Sequence, residues 1–331
     1  MDEYNKEKKK IIISSNSSWN LVNFRFNLIK NLVKNGYKIY VLAPRDQTSV
    51  KLQNIGCKFY NFPINRKKKS ILDAIINIFL YRKQIKKIKP FLFLAFTIKP
   101  NIFGSLACKS LNISYMNNIT GLGTSFLENF LLRKMVSLLY FFSLKNSKMI
   151  FFQNKDDKNL FLKKKIINNF NRAMIIPGSG IEIKKFKNKK NKKKNKIYFL
   201  FVGRLIKHKG IYELIQVTKK IKKKYKNVEL LVLGDNDEGN SFSVSDQNLK
   251  LWIEKKIIKY LGFKKNISNY ISNCDCLILP SYREGMSRAL LEAALLAKPL
   301  IASNVPGCKQ LVKNNYNGFL CKPKDINSLY I

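Results

Sequence analysis

IYFLFVGRLIKHKG (197–210) is the stretch on which the fold turns. Its first residues form a near-continuous apolar run rich in aromatic and β-branched side chains, the pattern of a strand covered on both faces. The run ends at Gly203, and a helical pattern begins past Gly210, so the segment reads as strand, loop, helix. Ahead of it lies KNKKNKKKNK (187–196), too polar to join a core and suited to a linker. The same alternation of short apolar strands and longer helical patterns fills both sides of that tract. Strands are expected near 10–14, 38–43, 57–61, 91–96, 113–117, 148–152 and 173–176, then near 197–203, 228–233, 274–279, 299–302 and 317–320. Such alternation implies an α/β fold in which helices cover parallel sheets. The expected organisation is two Rossmann-like domains, 1–186 and 197–331, joined by 187–196 and facing each other across a cleft. Ligands of such sheets bind outside the carboxyl ends of the strands.

Composition removes several classes of function. The chain has 331 residues, 46% hydrophobic and 12% aromatic, enough for two cores. Its formal charge of +43 comes overwhelmingly from lysine, spread along the chain and mixed with Asn and Ile. That distribution reads as a compositional bias with solvated faces, or as attraction to an anionic membrane surface or substrate, and no nucleic-acid motif accompanies it. Six cysteines without a CxxC pair suit a reducing compartment, with Cys274 and Cys276 in a core strand. His208 is the single histidine, so neither a His-based zinc site nor a Ser-His-Asp triad can be assembled. The N-terminus lacks the apolar segment of a signal peptide, and no apolar run is long enough to span a bilayer. Phe126–Leu144, broken by Glu128, Arg133 and Lys134, reads as a core helix; part of it, or the Lys-rich helix from Ile71 to Lys89, is the alternative membrane-resting surface.

The chemistry-bearing residues fall in loops expected at strand ends. Arg204 follows a strand directly and Lys209 precedes the next helix, a pair of cations suited to a diphosphate: arginine engages two oxygens and lysine supplies a compact charge. Downstream, PSYREGMSRALLEAALLAKPLIASNVP (280–306) carries Glu284 and Glu292 in a chain poor in carboxylates. Eight residues along a helix advance about 12 Å and two turns plus roughly 80°, so the two carboxylates cannot chelate one ion and would touch different parts of one extended ligand. The bland alternative makes Glu284 a helix-start acid and Glu292 a solvated helix residue. Asp235-Asn236-Asp237 has the D-x-D form of a manganese-diphosphate site, but its place beside glycines after a strand reads as a polar loop. Asp156-Asp157 reads as a helix N-terminus.

GRLIKHKG, followed about 75 residues later by EGMSRALLE and then by KPLIASNVPG and NGFL, resembles the C-terminal domain of the family 4 retaining glycosyltransferases of GT-B fold. The N-terminal half is similar to the branch that builds bacterial capsule, O-antigen and related surface glycans, through SSNSSWNLVNFRFNLIKNLVKNGYKIYVLAPRD, TIKPNIFGSL, NNITGLG, FFQNKDD and PGSGI. The resemblance implies transfer of a hexose or N-acetylhexosamine from a nucleotide sugar, UDP-linked, to a lipid-linked glycan or growing polysaccharide, with retained configuration and without metal or cofactor. It implies that Arg204 and Lys209 hold the diphosphate and stabilise its departure. Glu284 would orient the donor sugar, the loop of Gly285, Met286 and Ser287 would meet sugar and phosphate, and Glu292 would accept from the ribose. Gly203 and Gly234 would border the donor, while Thr97, Lys99, Asn118, Thr120 and Gly121 would lie on the acceptor side. A phosphate oxygen would take the acceptor's proton, leaving positioning and charge stabilisation to the protein.

Two departures from the family pattern stand out. AFTIKPN (95–101) lacks the histidine that many members carry there, with Lys99 or Thr97 in its place, and the chain stops at Ile331 where relatives continue into helices, as a truncated chain would. The implied setting is the cytoplasmic face of the inner membrane, peripherally bound. Two rival readings remain open: a same-fold nucleotide-sugar epimerase, and a non-catalytic remnant that binds membrane or nucleic acid.

Overall fold

The structure, a computed structural model, describes residues 9–64, 70–122, 130–168, 172–183, 186, 195–237 and 240–331. The chain divides into two units, Met1–Ser179 and Gly180–Ile331. That division precedes the Lys/Asn tract, whose residues 187–194 lie outside the described ones. Phe186 accounts for the position of the boundary, because its ring packs against the second unit's core.

The first unit is built on one sheet of seven strands: β1 (Lys10–Ser14), β2 (Lys38–Ala43), β3 (Lys58–Asn61), β4 (Leu92–Phe96), β5 (Tyr115–Ile119), β6 (Met149–Phe152) and β7 (Ala173–Ile175). Their spatial order is β3-β2-β1-β4-β5-β6-β7, and every pairing is parallel. The apolar runs are continuous because both faces are covered. Ile11 and Ile13 of β1 pack with Ile39, Val41, Leu21 and Ile29 on one face. Ile12, between them, packs with Tyr40, Leu42, Tyr81, Ile85 and Phe93 on the other. Strand order reverses between β1 and β4, which is the position where doubly wound sheets open a ligand crevice.

The second unit repeats the plan with β8 (Ile197–Val202), β9 (Val228–Leu233), β10 (Lys259–Gly262), β11 (Cys276–Leu279), β12 (Leu300–Ser303) and β13 (Gly318–Cys321). The order is β10-β9-β8-β11-β12-β13, again parallel throughout. Here the reversal falls between β8 and β11. The segments leaving those two strands are the ones that carry Arg204, Lys209 and Glu284.

Three local readings change. β10 is a strand that the sequence did not announce: it is short, starts on a lysine, and pairs with β9 through a register shift between Tyr260 and Gly262. β5 runs to Ile119 rather than ending at 117, so Asn118 and Ile119 are strand residues as well as Asn117. The side-chain NH2 of the buried Asn117 is held by another element: Nδ2 donates to Asn101 Oδ1 at 3.0 Å and to Ser105 Oγ at 2.8 Å, while Oδ1 has no hydrogen-bond partner among the described residues. Of the core helix expected over Phe126–Leu144, residues 126–129 lie outside the described ones; the helix Phe130–Leu144 buries Val136, Tyr140 and Leu144 but leaves Phe130, Leu131, Leu138, Phe141 and Phe142 exposed.

Candidate functional site

In the second unit the backbone beyond β8 is fixed before any side chain is considered. Gly203 N donates to Leu233 O at 2.9 Å, Leu205 N to Asp235 O at 3.0 Å, and Val244 N to Leu205 O at 2.9 Å. The segments after β8 and β9 are therefore sewn together. Gly234 lies between them at φ +150°, and a Cβ placed there would sit 1.8 Å from Gly203 O. Lys207–Lys209 forms one 3₁₀ turn that ends at Gly210, left-handed at φ +72°. A Cβ on Gly210 would meet Pro280 O at 2.1 Å, so this glycine lets the turn lie directly on the end of β11. His208 O completes the junction by accepting from Tyr282 N at 2.9 Å.

That junction brings Lys209 and Glu284 together. Lys209 Nζ donates to Glu284 Oε1 at 2.5 Å across 75 residues of sequence, with both side chains largely shielded. Gly307 backs the Glu284 loop: at φ +77°, its Cβ would lie 2.6 Å from Gly285 O and 2.8 Å from Glu284 O. Ser287 N donates to Gly307 O at 3.2 Å, and Ser287 Oγ caps the helix Arg288–Leu295 by accepting from Leu290 N. Glu284 consequently lies in the loop and not on the helix, so the helical advance expected between Glu284 and Glu292 does not apply. The outcome for ligation is the same, since each carboxylate has its own basic partner.

Glu292 is not the solvated helix residue of the bland reading. It is 3% exposed, and its Oε1 accepts from Arg288 Nε at 2.7 Å. Its Oε2 is buried and has no hydrogen-bond partner among the described residues. Burial raises its pKa, and Arg288 only partly offsets that rise. An orphaned carboxylate oxygen is costly, and a ligand hydroxyl that donated to it would remove the cost. Beneath the loop, burial reinforced by the Glu284 carboxylate pushes the Cys308 thiol well above its ordinary value, which makes it a packing residue and not a nucleophile. All six cysteines are buried and free.

Arg204 is half exposed, and its Nη1 donates to Asp237 Oδ2 at 2.6 Å. The D-x-D segment thus serves as more than a plain polar loop, because Asp237 is the carboxylate that holds this cation. Asp237 also accepts from Asn240 Nδ2 at 2.9 Å, and Asn236 Nδ2 donates to Val244 O at 2.8 Å. Sequence reasoning missed Asp237 as a partner; the signal was an acid soon after a strand neighbouring β8. It also missed Gly307 and the tie between Tyr282 and His208, which only the crossing of the loops reveals.

The first unit gathers its expected residues at the carboxyl ends of β4 and β5. Thr97, just past β4, is left-handed at φ +71°, and its Oγ1 accepts from Asn16 N at 3.1 Å, linking the segments after β1 and β4. Lys99 forms an ion pair with Asp73 and lies 6.0 Å over the Phe103 ring. Asn118 O accepts from Asn101 Nδ2 at 2.9 Å, and Thr120 and Gly121 follow at the strand end. Asn154 caps the helix Lys155–Lys163, whose first turn holds Asp156 and Asp157 as expected.

Residues 182–330 match the family model described as glycosyl transferases group 1, and residues 10–154 match glycosyl transferase 4-like. The N,N'-diacetylbacillosaminyl-diphospho-undecaprenol alpha-1,3-N-acetylgalactosaminyltransferase of Campylobacter jejuni is 27% identical over 338 residues, covering 95% of this chain and 86% of the relative. The UDP-Gal:alpha-D-GlcNAc-diphosphoundecaprenol alpha-1,3-galactosyltransferase of Escherichia coli is 30% identical over 215 residues, covering 59% of this chain and 54% of the relative. Among solved structures, Anabaena HepE in complex with UDP-glucose has a TM-score of 0.75 at 17% identity, covering 97% of this chain and 88% of that one. A glycosyltransferase from Rickettsia africae ESF-5 has a TM-score of 0.74 at 19% identity over 98% of this chain and 86% of its own, and both likenesses bear on the fold. With one glycosyltransferase model matching each parallel-sheet unit and a relative aligned along nearly its whole length, the chain belongs to the family 4 glycosyltransferases and has the α/β architecture of their GT-B fold.

Proposed function

We propose that the chain moves a hexose or N-acetylhexosamine from a UDP-sugar to a lipid-linked or surface-polysaccharide acceptor, with retention and without a metal ion. The observation that carries this reading is the Lys209–Glu284 pair at the β8/β11 reversal, the expected ligand position of the second unit's sheet. The donor's diphosphate takes over Lys209 and Arg204, which frees Glu284 for the sugar hydroxyls. The amides of Gly285, Met286 and Ser287 meet sugar and phosphate, Gly203 and Gly234 line the approach, and Glu292 Oε2 accepts from the ribose. Thr97, Lys99, Asn118, Thr120 and Gly121 belong to the acceptor side.

A panel of nucleotide sugars scored by thermal shift tests the reading, because a ligand specific to the folded state must raise its stability. UDP-sugars should shift the transition, and a panel with no response sinks the proposal. Glu292→Gln should weaken the active nucleotide by about 10-fold or more, the scale of one bond to a charged acceptor. The same variant carries a pH signature. A raised folded pKa means that the stability from this residue is present while it is protonated and is lost as pH rises through that pKa. Neutralising it should therefore raise Tm most at neutral and alkaline pH.

The first unit's surface supports a site of action at a membrane. No helix among the described residues is long and apolar enough to cross a membrane. The helix Ile71–Ile88 exposes Leu72, Ile75, Ile76 and Phe79 on one face, continued by Arg82, Lys83, Lys86 and Lys87. The helix Phe130–Leu144 adds its own exposed face with Arg133 and Lys134. An apolar face edged with cations suits an anionic leaflet, and lipid-linked acceptors would be met there, at the cytoplasmic face. The full chain should float with phosphatidylglycerol vesicles and less so at high salt. The double substitution Leu72→Asp/Phe79→Asp should reduce binding at least five-fold without altering UDP affinity; undiminished flotation would remove this surface from the proposal.

A further inference from the structure

In the first unit, Arg25 is a buried cation without a counter-ion among the described residues. It occupies the break between the helices Ser18–Phe24 and Phe26–Lys34, with 6% of its surface exposed. Its partners are all neutral. Nη1 donates to Phe24 O at 3.0 Å, Nη2 donates to Asn118 Oδ1 at 3.3 Å, and Cζ lies 4.9 Å over the Phe96 ring. Nε is buried and has no partner, and no carboxylate pairs with this guanidinium among the described residues. Burial lowers its pKa to about 10, which still leaves it charged at neutral pH.

Location gives the unpaired charge a meaning. Phe96 ends β4 and Asn118 lies near the end of β5, so the guanidinium sits at the carboxyl edge of the sheet beside the β1/β4 reversal. The surrounding backbone is set rigidly: Thr97 is held left-handed by its bond from Asn16, and Asn117, Asn101 and Ser105 form a buried polar network beneath. Arginine presents five donors in a planar fork matched to phosphate oxygens, and two of the five are engaged here. A fixed, desolvated and uncompensated guanidinium is complementary to an anion.

We propose that Arg25 is the anion-recognition residue of the first unit and takes a phosphate of the acceptor's polyprenyl diphosphate. The assignment rests on the transferase reading, since it makes this unit the acceptor side. Asn118 then serves two ends: it holds the guanidinium through Nη2 and lies beside the phosphate that Arg25 takes. A structural arginine would only join the helix break to the strand ends, and any polar side chain of similar reach would partly replace it.

The test is direct binding, independent of turnover, with the full chain saturated by UDP so that the donor site is occupied. Farnesyl diphosphate, followed by calorimetry, should bind the wild type, while farnesol and inorganic pyrophosphate should bind at least ten-fold more weakly. Arg25→Met should weaken farnesyl diphosphate at least ten-fold, and Arg25→Lys, which keeps the charge but loses the fork, about three-fold or more. Retained affinity in Arg25→Lys and Arg25→Met overturns the proposal. If the methionine variant does not fold, the lysine variant and the wild-type comparison of the three probes decide alone. Equal affinity for pyrophosphate assigns the site to a soluble anion and overturns the acceptor assignment. A failed transferase reading shows up elsewhere, as the absence of any UDP-sugar response.

Discussion

Glu284→Ala lowers sugar transfer by about 10²–10³-fold, the scale on which a single preorganised polar group at a reacting centre acts, while UDP binding survives or tightens. This split follows from the ion pair. In the free protein Glu284 Oε1 neutralises Lys209 Nζ, and with side chains 12% and 20% exposed the pair is poorly screened by water. A donor diphosphate must therefore compete with the carboxylate for the lysine. Removing the carboxylate ends that competition, so the nucleotide loses nothing, whereas the transferring sugar loses the group that orients it. Lys209→Ala should do the opposite to binding, weakening UDP itself along with turnover. Loss of this largely shielded pair also costs roughly 1–2 kcal/mol of stability in either variant, which UDP should restore in Glu284→Ala and not in Lys209→Ala. Calorimetry with UDP and a turnover assay read the two effects separately. Turnover of Glu284→Ala within three-fold of wild type would remove Glu284 from the reaction.

How much of this was visible in the chain depends on the kind of residue. The strands around the site were legible because both faces of each sheet are covered: β1, β8 and β11 are written as apolar runs that nothing else explains. Lys209 and Glu284 were legible as chemistry by type and position. Their contact was not, because it depends on Gly210 lying against Pro280 O, a crossing of segments far apart in sequence. The end of β5, expected at Asn117, was misread for a related reason. Asparagine favours turns when its amide must find the local backbone, yet here Asn101 and Ser105 take the Asn117 Nδ2 hydrogens from another element and the strand continues to Ile119. β10 escaped because an edge strand of four residues beginning with lysine has no periodicity to detect. Arg25 was hidden most completely: inside an amphipathic helical pattern, one more basic residue in a basic chain reads as solvated, and only burial distinguishes it.

Gly234→Ala should be the most damaging single-methyl change in the second unit. The added Cβ would lie 1.8 Å from Gly203 O and 2.7 Å from Gly203 C, both backbone atoms that no rotamer change can move aside. Nor can Gly234 itself retreat: its N donates to Gly262 O at 3.1 Å, its O accepts from Tyr260 Oη at 3.0 Å, and Gly203 N is bound to Leu233 O. Relief of the clash therefore has to break hydrogen bonds between the ends of β8, β9 and β10. The residue's φ of +150° adds backbone strain for any L side chain. Together these predict a loss of about 3–5 kcal/mol, a large share of the roughly 5–15 kcal/mol that holds a domain folded. Gly262→Ala separates the two causes. Gly262 is also left-handed, at φ +67°, but a Cβ there meets nothing within 4 Å, so only the conformational cost of about 1–2 kcal/mol applies. Urea unfolding of the pair should show Gly234→Ala as the less stable by at least about 1 kcal/mol. Similar stabilities would mean that the loop after β9 yields, and then the Arg204 segment it is sewn to is not the rigid platform for a diphosphate that these hydrogen bonds imply.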